Sequence, residues 1–313
     1  MADNPIHAPA SAAIHVALCF DDGYWAPAYA TIRSICLNTL RRGDLVFHLC
    51  HRTLAPEHKA ELDAISSEFG ARLAYYDLDR INLSASVMER APYNKRLGNI
   101  VYARLLFTEL LPKDVHRLVY LDCDMLVRRP IEQLAEIDLR GHPLAAASDY
   151  WASSHMTQRD MIDQRKLFDI ANGYFNAGLL VIDLDSWRRL DVLGHFEAMI
   201  DDGTLAKIYY DQDFLNLMFV ANWLELDQRW NFLNPRAIHE VLNPFLLHYT
   251  GSKKPWMMFS GVAFAREYRH VMTNAIFYRY LREQWARRLP RFLRPLLVRR
   301  GTQSPRGNSA TSL

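Results

Sequence analysis

The 313-residue chain is half hydrophobic and 23% charged, enough apolar material for one large α/β domain or two smaller ones. It holds no apolar run of the ~18 residues that a membrane-crossing helix needs, and its Ala- and Pro-rich start lacks the basic-then-apolar order of a secretory signal. The net charge of +2 hides a split: from Arg279 onward nine arginines face one acid, a tail of +8, while 28 basic and 34 acidic residues leave the rest at −6, a body poorly suited to nucleic acid.

In chain order, residues 1–13 are expected to be a flexible extension. Residues 14–20 form the first predicted strand and residues 21–24 the turn after it. Residues 27–38 are predicted helical, with Ile32, Ile35 and Cys36 on one face and Pro27 in the first turn. Strands follow at 45–50 and 72–76, separated by a helix over 56–69 that Gly70 ends. This β-α-β-α-β order predicts a parallel, Rossmann-like sheet. There is no G-x-G-x-x-G fingerprint and no P-loop, so NAD or ATP binding in those modes is unsupported. Residues 82–98 read as a polar loop over the site, and residues 99–110 as a helix carrying Tyr102 to Leu105.

The apolar run Leu118 to Leu121 then enters Asp122-Cys123-Asp124. It predicts a buried strand with both carboxylates on one side of its carboxyl end. Two like charges there repel unless a cation lies between them, and a hard divalent ion is the simplest answer; two solvated aspartates in a turn is the plain alternative. Further strands are predicted at 144–148 and 179–182, helices at 153–168 and 214–220, and a strand at 245–249 containing His248. In open α/β sheets ligands bind beyond strand carboxyl ends. Asp21, Asp122, Asp124, Asp149, Asn176 and His248 are all expected at such ends. The four cysteines have no zinc-ligand spacing and suit reduced thiols in a cytoplasmic protein.

Six segments together carry a family resemblance. They are Phe20-Asp21-Asp22-Gly23-Tyr24, Tyr102-Ala103-Arg104-Leu105, Tyr120-Leu121-Asp122-Cys123-Asp124, Tyr174-Phe175-Asn176-Ala177-Gly178, Asp211-Gln212-Asp213, and His248-Tyr249-Thr250-Gly251 with Lys254-Pro255-Trp256. In order and spacing the chain resembles the retaining glycosyltransferases of family 8, particularly bacterial lipopolysaccharide galactosyl- and glucosyltransferases. The resemblance implies a GT-A fold over residues 14–271 and a UDP-glucose or UDP-galactose donor. It also implies a saccharide or lipid-linked saccharide acceptor, and Mn²⁺, with Mg²⁺ as a substitute. Asp122, Asp124 and His248 would hold the metal, a mixed oxygen and nitrogen set that suits Mn²⁺. Cys19, Phe20, Asp21, Gly23 and Tyr24 would meet the uracil and ribose, with Cys123 beside them. Some members carry Asn where this chain has Gly23, so a contact there could come only from backbone. Gly251 and Lys254 would face the diphosphate. Arg104, Asp149, Asn176, Ala177, Asp211 and Gln212 would surround the sugar, with Asp211 and Gln212 nearest the chemistry and Asp213 structural. Gln212 corresponds to the residue facing the reacting carbon. An amide is a poor nucleophile, so front-face attack is preferred over double displacement, with the Gln212 carbonyl dipole offsetting positive charge.

Residues 272–289 carry an apolar stripe among arginines, and the basic-apolar mixture continues to residue 300. This reads as an amphipathic segment for an anionic membrane surface, giving a peripheral protein on the cytoplasmic face of the inner membrane; residues 301–313 read as disordered. Two other functions stay open. A haloacid-dehalogenase-type phosphohydrolase would use Asp122 and Asp124 as nucleophile and acid, but it leaves the other five segments unexplained. A nucleotide-sugar-binding protein without turnover is the second.

Overall fold

The computed structural model describes residues 12–288 apart from 82–86, 88, 93–97, 151, 153–167, 169–171 and 209. The extension over 1–11, the helix expected at 153–168, most of the loop at 82–98 and the tail beyond 288 therefore lie outside the described residues.

Strands β1 (Ile14–Asp21), β2 (Leu45–Arg52) and β3 (Arg72–Asp77) form the parallel half of the sheet, joined by helices α1 (Trp25–Asn38) and α2 (Pro56–Phe69). The α2 bounds match the sequence signals because both ends are chemically marked. A proline opens its first turn, and Gly70 closes it at φ 73 with its N–H on the Ser66 carbonyl. Strands β4 (Arg117–Leu121), β5 (Met125–Val127), β6 (Leu144–Ala146), β7 (Leu179–Asp183) and β8 (Leu224–Glu225) follow. A seven-stranded sheet has the order β3-β2-β1-β4-β7-β6-β8. Its faces are covered by two apolar clusters, one built on α1 and α2 and the other on segments from 99–111 and 184–219.

The sheet is not wholly parallel, as the β-α-β reading implied. β7 runs antiparallel to both β4 and β6. A short apolar run such as 179–182 states burial but not direction. The reversal matters for the site. Asn176 lies before the start of β7, not at a carboxyl end, and reaches the same rim as Asp122 because β7 points the other way.

A second sheet has the order β5-β10-β9, with β9 (Phe232–Leu233) and β10 (Leu246–His248). Antiparallel pairing sets His248 opposite Met125, the residue after Asp124. The other edge of β5 is closed by a helix. Thr31 Oγ1 donates to the Cys123 and Met125 carbonyls at 2.9 Å. Ser34 Oγ accepts from Val127 N at 3.0 Å, and Asn38 donates to the Val127 carbonyl at 3.0 Å. These positions lie three and four apart, one face of α1.

Further helices include α3 (Phe107–Leu110), α4 (Glu132–Ala135), α5 (Leu184–Arg189), α6 (Val192–Asp201), α7 (Tyr210–Met218), α8 (Ala265–Met272) and α9 (Asn274–Arg288). The predicted 99–110 helix is 3₁₀ over Asn99–Leu106 before α3. The helix expected from residue 272 begins at Asn274, because Thr273 takes φ 68 and breaks the turn. Its apolar stripe faces the body: Ile276, Phe277 and Tyr280 are buried. Arg279 pairs with Glu61 and Arg287 with Asp22. The stripe up to residue 281 thus packs on protein instead of presenting itself to lipid, though Trp285 is exposed. No described helix is long and apolar enough to cross a membrane.

Candidate active site

The ends of β4 and β10 and the start of β7 converge on one point. One ligand atom each from Asp122, Asp124 and His248 lies within 4.8 Å of the others. His248 Nε2 is 3.2 Å from Asp124 Oδ1 and 3.8 Å from Asp122 Oδ2. Gly178 forms the floor. A Cβ there would stand 2.3 Å from His248 Cε1 and 2.8 Å from Asp122 Oδ2, so only glycine leaves the three ligands their places.

The orientation of His248 is set from a distance. Asp149 Oδ2 accepts from Asn176 Nδ2 at 3.0 Å. Asn176 Oδ1 in turn accepts from Asn231 Nδ2 at 2.9 Å, and Asn231 Oδ1 meets His248 Nδ1 at 2.8 Å. A carboxylate can only accept, so the direction of the chain is fixed at its Asp149 end. Nδ1 of His248 must therefore carry a proton, and Nε2 is the nitrogen presented to the two carboxylates. Such outer hydrogen bonds are how ligating imidazoles are oriented. The donor set, its glycine floor and the presented nitrogen fit a divalent cation. Asn231 is wholly buried and was not singled out in the sequence; the only signal was Trp-Asn just before a short strand.

Asp122 is anchored by Arg104 Nη2 at 2.9 Å and by the Tyr120 hydroxyl at 2.5 Å, both on Oδ1. The Arg104 guanidinium also lies 2.9 Å from Asp211 Oδ2, donates to the Ala177 carbonyl and stacks over the Tyr120 ring. Arg104 is thus buried among protein partners, joining Asp122 to Asp211. Burial pushes the Asp211 carboxyl up to about 6, with Arg104 opposing the shift and Asp122 adding to it. Burial would also raise Asp124, but its hydrogen-bonding neighbours His248 and Lys254 outweigh it and hold that carboxyl well below the usual range. Lys254 Nζ donates to Asp124 Oδ2 at 2.6 Å and to the Tyr249 carbonyl, so the lysine expected at the diphosphate rests on one of the three clustered residues. Gly251 N donates to Asn234 Oδ1 at 2.9 Å.

Helix α7 grips the segment before β7. Asn216 brackets Phe175, accepting from its N–H at 2.8 Å and donating to its carbonyl at 2.9 Å. Asp213 is fully buried and accepts the Tyr174 hydroxyl at 2.6 Å, the structural role expected of it. Gln212 Oε1 accepts from Ala177 N at 3.0 Å and Asn176 Nδ2 at 3.2 Å. Both of its lone pairs are engaged, so the carbonyl dipole expected to face a reacting carbon is here turned into a brace. Tyr210 enters α7 at φ 55, a strained backbone for a bulky residue, just before Asp211.

Asp21, Gly23 and Tyr24 sit at the rim of β1, where Asp21 Oδ1 accepts from Gly23 N at 2.8 Å. Cys123, between Asp122 and Asp124, reaches β1 itself, its Sγ 3.6 Å from the Cys19 carbonyl. All four cysteines are free thiols.

A model of the family described as glycosyl transferase family 8 matches residues 15–259. The general stress protein A of Bacillus subtilis is 25% identical over 280 residues, spanning 83% of this chain and 93% of that one. The lipopolysaccharide 1,2-glucosyltransferase of Escherichia coli is 24% identical over 265 residues, 80% of this chain and 75% of that one. Other relatives are longer, and the chain spans only 29% of one from Streptococcus gordonii. The crystal structure of the galactosyltransferase LgtC with donor and acceptor sugar analogues superposes with a TM-score of 0.69 at 23% identity, covering 83% of this chain and 95% of that one. That likeness shows the GT-A fold. With the family matched over most of its length, this chain belongs to glycosyl transferase family 8.

Proposed function

We propose that this protein moves glucose or galactose from its UDP conjugate to a saccharide or lipid-linked saccharide acceptor, with retention at the anomeric carbon, in building a surface glycan. The observation that carries this reading is the cluster of Asp122, Asp124 and His248 on its Gly178 floor. Two relatives, a lipopolysaccharide 1,2-glucosyltransferase and a lipopolysaccharide 1,3-galactosyltransferase, support the hexose.

Asp122, Asp124 and His248 would hold Mn²⁺, which would offset the charge of the diphosphate as it leaves. Lys254 sits beside Asp124 and supplies a second positive charge at that end. Asp149, Asn176 and Asp211 offer the acceptors and donors that hexose hydroxyls need. Arg104 keeps Asp211 and Asp122 in fixed relation, and Gln212 holds Asn176 and Ala177 in place. The amide of Gln212 is a poor nucleophile, so attack from the leaving-group face fits, with the departing phosphate accepting the proton of the acceptor hydroxyl. The arginines of residues 291–300 suit an anionic membrane surface on the cytoplasmic side.

The test is UDP release from a panel of UDP-sugars, with Mn²⁺ and with chelator. Metal-dependent release from one sugar is the expected outcome and names the donor. No release from any of them, with or without acceptor saccharides, would defeat the reading.

A further inference from the structure

The family match ends at residue 259, yet α9, from 274 onward, reaches back to the turn at the rim of β1. Tyr280, almost wholly buried, donates its hydroxyl to the Gly23 carbonyl at 2.7 Å. Gln284 donates to the same oxygen at 3.5 Å. Arg287 Nη2 lies 3.0 Å from Asp22 Oδ2 and 3.3 Å from the Asp22 carbonyl. A Cβ on Gly23 would come within 2.9 Å of Arg287 Nη1 and of Asp21 Oδ1. Gly23 and Arg287 therefore share one space, and the turn can take the helix against it only because position 23 has no side chain.

These contacts do more than glue two elements together, because they end on backbone carbonyls. A peptide unit is planar and trans, so a carbonyl drawn toward α9 turns the next N–H to the opposite side. Arg287 on the Asp22 carbonyl directs the Gly23 N–H away, and that N–H is the one Asp21 Oδ1 receives. The Asp21 carboxylate is thus oriented through the Asp22–Gly23 peptide plane by Arg287, while Tyr280 fixes the Gly23–Tyr24 plane that follows it, both from some 260 positions later in the chain.

We infer that Tyr280 and Arg287 are positioning residues for the nucleoside end of the donor, holding the Asp21–Tyr24 turn in the shape that receives it. This inference rests on the UDP-sugar reading of the site. Asp21 meets the nucleoside; Tyr280 and Arg287 act through it and touch no substrate.

The experiment uses the full chain and four variants, Tyr280→Phe, Arg287→Ala, Arg287→Lys and Arg279→Ala. The last breaks the Glu61 pair on the same helix and meets the turn only at second hand, through Glu283 and His58, so it reports what loosening α9 does by itself. Donor KM, kcat and Tm are measured for each. Tyr280→Phe and Arg287→Ala are expected to raise donor KM about fivefold, the size of one hydrogen bond lost, with kcat within about twofold of the parent. Arg287→Lys should recover part of the loss, and Arg279→Ala should lower Tm without moving KM. Equal KM in all four, or a KM rise in Arg279→Ala as large as the others, would overturn the inference while leaving the transferase reading intact. A parent protein that releases UDP from no sugar would overturn both.

Discussion

The two ends of the site are built by different means. The proposed metal end is made by backbone register: β4 meets β7, β5 meets β10, and Asp122, Asp124 and His248 fall together as a result. The proposed nucleoside end is a short turn held by side chains of a helix from the far end of the chain. Register is set by many hydrogen bonds at once and tolerates little local loosening. A turn held by three or four side chains can be loosened one contact at a time. Substitutions at the first end should therefore abolish function, and those at the second should grade it.

The largest expected effect tests the first half of that contrast. Asp124→Asn removes a metal-ligating oxygen and should lower transfer by more than about a hundredfold, beyond the range seen for outer hydrogen bonds to a metal ligand. Kinetics at saturating Mn²⁺ would check it, and near-parental turnover would refute the assignment of the cluster. Gly178→Ala should come next. Its Cβ collides with the His248 ring and the Asp122 carboxylate, so Mn²⁺ affinity measured by electron paramagnetic resonance should fall by about tenfold or more, with a stability cost of about 1–3 kcal/mol for overpacking. Asn231→Leu leaves the ligands in place but frees the His248 ring. A fall of about tenfold in Mn²⁺ affinity is expected, with the fold kept, as judged by calorimetry.

The smallest effect lies at the other end. His58 sits between Asp22 Oδ1 at 2.6 Å and Glu283 Oε1 at 3.3 Å, stacked on Trp25. Burial alone would lower its pKa, but Glu283 and Asp22 outweigh burial and raise it. A raised folded value means that its contribution is complete below about 6.5 and is lost as pH climbs through the raised value. The Tm advantage of the parent over His58→Gln should shrink across that window, by an amount near 1 kcal/mol for a partly screened pair. A gap that widens with pH would show that α9 is not held through this histidine.

Much of the first end was legible before the fold was known. An apolar run ending in Asp-x-Asp, and a histidine followed by glycine and lysine at short spacing, mark the residues that register later assembles. The direction of β7 was not legible, because four apolar residues look alike read either way. Nor was the orienting role of Asn231, since a buried asparagine in a 3₁₀ turn has no periodicity to betray it. At the second end the sequence offered an apolar stripe with arginines, and stripe and charge alone do not distinguish a lipid surface from a protein one. Glu61 and Asp22 decide the matter for Arg279 and Arg287, and they lie more than two hundred residues away.

Three polar side chains of helix α1 gauge the segment that follows Asp-x-Asp. Thr31, Ser34 and Asn38 meet β5 as teeth meet a key, matching carbonyl, amide and carbonyl in turn. A strand paired to a neighbouring strand can shift by two residues and find equivalent partners. A strand read by three dissimilar side chains has only one fitting offset. The separation between Asp124 and His248 is thereby gauged from both flanks.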